Sequence, residues 1–140
     1  MVKSYVLDTS ALFTLTKGES GSDTVEDILI SAKKGKCHIY LSFISFAELY
    51  YITWQEKGES AAKELIILVK SLPAQRIDSS ERITLSAGRI KANHRLSVSD
   101  AFIAATALDK SAVLVHKDPE FESVSGYITT LQLPYKRGKD

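Results

Sequence analysis

A single cysteine, Cys37, stands in this 140-residue chain. That excludes an intramolecular disulfide framework and agrees with a reducing cytosol. An excess of one charge is missing too: eighteen basic residues against seventeen acidic ones leave a formal charge of +1. The chain therefore lacks the global positive surplus of many nucleic-acid binders, and any contact with nucleic acid must be local. No apolar run approaches the roughly 20 residues that span a bilayer, and the opening residues carry no signal-peptide pattern. Internal repeats, low-complexity tracts and interdomain linkers are absent as well. His38, His94 and His116 show no paired zinc-ligand spacing with each other or with Cys37. Neither Ser10 nor Cys37 sits in a nucleophile-elbow sequence, so covalent catalysis is unsupported. The expectation is a soluble cytoplasmic protein with no membrane partner.

Hydrophobic residues make up 44% of the chain, enough to fill one core. Residues 1–135 read as one domain and residues 136–140 as a charged C-terminal tail. Short β-branched or aromatic runs alternate with longer segments of helical period, the pattern of parallel strands joined by helical crossovers. The predicted fold class is α/β with a four- to five-stranded, mainly parallel sheet. Strands are predicted over 3–7, 36–41, 74–77 and 112–116, with a fifth over 128–133 at the sheet edge. Helices are predicted over 11–16 with Thr9 and Ser10 as caps, and from a capping box at Asp23 and Glu26 to residue 34. Residues 45–57 and 60–71 read as a helical hairpin broken by Gly58. Asp78 with Glu81 opens a helix to residue 93, and Ser97 caps another to residue 110.

Four carboxylates stand out against this frame. Asp8 closes the apolar run Tyr5-Val6-Leu7, Asp118 follows Ala112-Val113-Leu114-Val115, and Asp100 shares a helical stripe with Ile103, Ala104 and Ala107. Glu48 lies in line with Tyr51 and Ile52. Ligands of open parallel sheets bind beyond the carboxyl ends of the strands, where the strand order reverses. If the reversal falls between the first and fourth strands, Asp8 and Asp118 face one crevice. Acids brought together resist ionising unless a cation is present, and hard divalent metals with oxygen ligands meet that need. A metal-dependent nuclease is the first hypothesis. Each acid also has an ordinary explanation. Glu48 and Asp100 lie three residues after Ser45 and Ser97, the spacing of a capping box, while Asp118 before Pro119 can start a turn and Asp8 can end a strand. Solvated caps more often project from a polar face, whereas Glu48 and Asp100 lie in line with apolar residues.

Val6-Leu7-Asp8-Thr9-Ser10-Ala11-Leu12 resembles the opening motif of PIN domains, and Ser45-Phe46-Ala47-Glu48-Leu49 resembles the helix bearing their second acid. Ser99-Asp100-Ala101-Phe102-Ile103-Ala104-Ala105-Thr106-Ala107 is similar to the third motif, the most specific of the set. Leu114-Val115-His116-Lys117-Asp118-Pro119-Glu120-Phe121 is similar to the fourth, with His116 where many relatives carry Ser or Thr. Four motifs in order over nearly the whole chain resemble most closely the ribonuclease toxins of the VapC type.

That resemblance implies a three-layer α/β/α PIN-like nuclease domain over 1–135 and metal-dependent endoribonuclease activity. It implies Asp8, Asp100 and Asp118 as ligands of one or two Mg²⁺ or Mn²⁺ ions, with Glu48 completing an acidic ring. Products would carry 5′-phosphate and 3′-hydroxyl ends. Thr9 and Ser10 are candidates to orient Asp8 or its coordinated water. RNA is the implied substrate, and a second copy of the chain and a cognate antitoxin are the implied protein partners. Lys117, Arg89, Lys91 and Arg95 can steer phosphate, although such charges more often just solvate a helix face.

Residues 43–54 are too apolar around the helical circumference for one buried face, so some of that surface must meet another; packing against Leu65, Ile66 and Leu68 accounts for part, and the remainder can serve a second copy or an antitoxin helix. Two other classes compete with the nuclease reading. A phosphoryl-accepting receiver domain also places an aspartate after its first strand, but it needs an acidic pair there and a phospho-acceptor after the middle strand. A non-catalytic PIN-like binding module has no chemical need for all four acids.

Overall fold

The computed structural model describes residues 2–135; the predicted tail at 136–140 lies outside the described residues. Five strands run parallel in the order β3-β2-β1-β4-β5: β1 Lys3–Leu7, β2 Cys37–Ser42, β3 Gln75–Ile77, β4 Val113–His116 and β5 Thr130–Gln132. The sheet is thus wholly parallel, and its order reverses between β1 and β4, the condition on which Asp8 and Asp118 were expected to face one crevice. The helices are α1 Thr9–Lys17, α2 Ser22–Lys33, α3 Phe43–Lys57, α4 Glu59–Lys70, α5 Glu81–Asn93 and α6 Val98–Asp109. A short 3₁₀ helix, Pro119–Val124, follows β4.

Alternation along the strands builds the layers. Val6 and Leu114 project to one face and pack with Ile83, Ile90, Ile103 and Phe121 from α5, α6 and the 3₁₀ helix. Their neighbours Leu7 and Val115 project to the other and pack with Leu12, Val25, Leu49 and Val69 from α1 to α4. The result is the expected three-layer α/β/α sandwich, and α3 and α4 form the expected hairpin.

Helix starts differ from the sequence expectation in an informative way. Thr9 and Ser10 lie inside α1; its cap is Asp8, whose carboxylate accepts the Ala11 N–H at 2.8 Å. Asp23 does not open α2, which starts from Gly21 at φ 99° with no side-chain cap. Ser42 rather than Ser45 caps α3, and Ser80 rather than Asp78 caps α5. Asp78 instead pairs with Arg76 at 2.8 Å. A cap must sit at the last extended residue, and neighbouring Ser, Thr and Asp satisfy the composition rule equally well.

Candidate active site

Leu7 lies beside Val115, and the Asp8 N–H donates to the Val115 carbonyl at 3.1 Å. This last rung of the β1–β4 pairing sets Asp8 at the carboxyl end of β1, next to the segment that leads to Asp118. Its side chain is 2% exposed. Ser10 Oγ lies 2.7 and 2.8 Å from the two carboxylate oxygens, and the Lys117 N–H donates to Ser10 Oγ at 2.8 Å. Ser10 is therefore a bridge: it takes a proton donor from the end of β4 and offers its own to Asp8. Burial pushes the Asp8 carboxyl up from 3.8 to about 7, against the hydrogen bonds from Ser10 and Ala11, and the nearby Asp118 charge adds to the rise.

Asp100 comes from the first turn of α6, where Ser97 Oγ accepts its N–H at 3.1 Å. The reciprocal half of a capping box would have Asp100 accept the Ser97 N–H. That place is taken by Glu120, whose Oε1 accepts it at 2.7 Å. The Asp100 carboxylate, released from capping, is buried next to Asp118. Burial raises its pKa most, and the charge of Asp118, a hydrogen bond shared with it, and the charges of Asp8 and Glu120 raise it further.

Asp118 caps the 3₁₀ helix by accepting the Glu120 N–H at 2.9 Å, so the turn reading of its sequence position was right as far as it went. Its own N–H donates to His116 Nδ1 at 3.2 Å. The ring nitrogen thus serves as an acceptor, which places the histidine proton on Nε2. His116 is buried 5.2 Å from the Phe121 ring, and that burial pushes its pKa down.

Asp100, Asp118 and Glu120 each offer a carboxylate oxygen, and the three lie within 4.8 Å of one another. Glu120 was not singled out from the sequence, where it was only one letter of the fourth motif. Its position two residues after Asp118 on a Pro-initiated turn was the available signal. Glu48 stands apart from that trio: Thr9 Oγ1 donates to its Oε1 at 2.6 Å and lies 3.1 Å from Ser45 Oγ. Thr9 has one hydroxyl proton for these two acceptors, and the carboxylate, charged and nearer, is the stronger partner. Lys117 is a correction. Its side chain is buried, with Nζ 3.6 Å from Glu19 Oε1 and no hydrogen-bond partner among the described residues, so it is not placed to steer phosphate. Arg89, Lys91 and Arg95 are exposed.

An open parallel sheet with helices on both faces and buried acids at its reversal point defines an α/β protein with an acidic crevice where such folds place their ligands. Residues 5–127 match the model of the PIN domain, and the chain belongs to that family. No curated protein matches it in sequence. Among solved structures it is similar to the VapBC2 complex of Rickettsia felis bound to a promoter DNA fragment, with TM-score 0.74 and 22% identity over 94% of this chain and 99% of that one. DNA-bound VapBC of Salmonella typhimurium gives TM-score 0.74 at 21% identity over 94% and 98%. Mycobacterium tuberculosis VapC20, a sarcin-ricin loop cleaving toxin, gives 0.71 at 17% over 91% and 98%. Identities this low speak to the fold.

Proposed function

We propose that this chain is a divalent-metal-dependent endoribonuclease and the toxin of a type II toxin–antitoxin pair. The observation that carries the reading is the convergence of Asp8, Asp100 and Asp118: Asp8 and Asp100 are buried with carboxyl groups pushed well above their ordinary range, and the charge of half-buried Asp118 adds to both shifts. Such a set is costly unless it is protonated or neutralised by a cation, and an all-oxygen donor set fits Mg²⁺ or Mn²⁺. Asp8, Asp100 and Asp118 would hold the ion, with Glu120 beside them and Glu48 completing the acidic ring. When bound, the ion supplies activation of a water for attack on phosphorus and stabilisation of charge on the departing 3′ oxygen.

The chain's own groups set the geometry. Ser10 holds the Asp8 carboxylate against rotation, and Thr9 holds Glu48. Glu120 keeps Asp100 free of the helix cap. His116 anchors the backbone of Asp118. Membership of the PIN family and likeness to a sarcin-ricin loop cleaving toxin support RNA as substrate.

Likeness to VapBC assemblies supports an antitoxin partner. A homodimer is supported by Tyr51, Trp54, Ile67 and Leu68, which leave a large apolar surface exposed on the α3–α4 hairpin. No helix among the described residues is long and apolar enough to cross a membrane, which is compatible with a cytoplasmic site of action. The direct test is cleavage of a panel of structured RNAs with Mg²⁺ or Mn²⁺ and with chelator, comparing wild type with Asp100→Asn. Cutting that survives both chelation and the substitution would sink the reading.

A further inference from the structure

A recess of about 240 Å³ opens between the end of α5 and the turn that follows the 3₁₀ helix, and is lined by Arg89, Ile90, Asn93, His94 and Tyr127. Two contacts tie its walls to the site. Ser97 N–H reaches Glu120 at 2.7 Å, and His94 Nδ1 lies 2.9 Å from the Ser123 carbonyl, so the turn between α5 and α6 is stapled twice to the 3₁₀ helix that Asp118 opens. At ~2 Å of rise per residue, Ser123 lies on the order of 10 Å along that helix from Asp118. A strand of nucleic acid with its scissile phosphate at the acids can reach the recess with a nucleotide a few positions from the cut.

The lining has the chemistry of a base-binding site. Tyr127 is 41% exposed yet held on a fixed turn: its N–H and that of Ile128 donate to the Val124 carbonyl at 2.8 and 3.0 Å, and Val124 and Ile128 are buried. An aromatic face so anchored loses little freedom on stacking. The His94 ring lies 5.6 Å from it at 45°. Because a carbonyl can only accept, His94 Nδ1 carries the proton and Nε2 is left as an acceptor. Asn93 Nδ2 donates to the Arg89 carbonyl at 2.8 Å, which leaves its Oδ1 as another acceptor. Arg89, one turn before Asn93 on the same face of α5, adds a guanidinium that can meet phosphate or stack.

We propose that this recess is a nucleobase subsite for single-stranded RNA, with Tyr127 as the stacking platform and Asn93 and His94 reading the base edge. Aromatic stacking joined to local cationic charge is how single strands are gripped by proteins without a global positive surplus. The proposal rests on the nuclease reading for its substrate, and its test separates the two.

Full-length Asp100→Asn protein, which cannot cut, is titrated into fluorescein-labelled single-stranded RNA and followed by anisotropy. A single abasic nucleotide is then walked along the strand. Adding Tyr127→Ala should weaken binding about tenfold, while Tyr127→Phe, which keeps the aromatic face, should not. One abasic position near the cleaved bond should cost about the same in the parent and nothing further in the Tyr127→Ala background. Equal affinity of parent and Tyr127→Ala, or unchanged abasic sensitivity, overturns the subsite. In the cutting-competent chain, Tyr127→Ala should raise KM more than it changes kcat. Normal cutting at wild-type KM overturns the subsite and leaves the nuclease reading standing; RNA held through Tyr127 but never cut by wild type does the reverse.

Discussion

Glu120 Oε1 accepts the backbone N–H of Ser97 at 2.7 Å across a separation of 23 residues, and by doing so it fills the place Asp100 would take in a local capping box. A surface glutamate thereby decides where a buried aspartate goes. Glu120→Ala should cost about 0.5–1 kcal/mol of stability, the scale of one lost cap interaction, and let Asp100 turn back to the helix end. Glu120→Gln keeps an acceptor oxygen and should restore the stability. Denaturant melts of both variants, read beside RNA cleavage, check this; equal stability of Ala and Gln variants would show that the contact does nothing.

Asp8 has two tasks, capping α1 and presenting a charge, and two substitutions separate them. Asp8→Asn retains an acceptor for the Ala11 N–H and should fold normally while losing RNA cleavage by at least 100-fold. Asp8→Ala should lose cleavage and a further ~1 kcal/mol of stability with the cap. Circular dichroism melts and cleavage rates report the two effects independently, and an active Asp8→Asn protein would remove Asp8 from the site.

The acidic cluster should have a pH signature. With a folded-state value near 7 against 3.8, Asp8 stays protonated in the folded chain while the unfolded chain ionises. Its contribution to stability is thus complete below about pH 4 and is lost as pH rises to about 7, by on the order of a few kcal/mol. Asp100, also raised, extends the same trend. Chelated protein should therefore melt lower at pH 7 than at pH 5, and Mn²⁺ should reverse the loss. Asp118→Asn should melt at or above wild type in chelator near neutral pH and gain less from Mn²⁺. Equal Mn²⁺ stabilisation of wild type and variant would place Asp118 outside any metal site.

Thr9→Val removes the hydroxyl that donates to Glu48 at 2.6 Å without changing the side chain's shape. Cleavage should fall about tenfold, and Glu48→Ala in the Thr9→Val background should cost little more, because the two act through one contact. Additive losses in the double mutant would mean that Thr9 and Glu48 act separately.

Tyr51 is 49% exposed on the α3–α4 hairpin, which also exposes Trp54, Ile67 and Leu68. Tyr51→Glu would bury an unpaired charge in any contact formed there and should convert a dimer to a monomer on sizing columns. Two monomers would leave the antitoxin as the only occupant of that surface.

The sequence by itself determined the sheet. Strand runs such as Tyr5-Val6-Leu7 and Val113-Leu114-Val115 are apolar because both faces of a parallel sheet are covered, and that signal is local. The sequence made the meeting of Asp8 and Asp118 conditional on a reversal of strand order between β1 and β4, and the tertiary structure supplied that reversal. Tertiary structure alone decided which neighbouring hydroxyl or carboxylate capped each helix, since Asp8, Thr9 and Ser10 meet the compositional rule alike and only backbone position separates them. It also decided that Glu120 rather than Asp100 completes the Ser97 cap, and that Lys117 is buried against Glu19 rather than exposed to solvent. Those contacts join segments distant in sequence through single hydrogen bonds or ion pairs. No period or spacing encodes them, because their geometry exists only once the layers have packed.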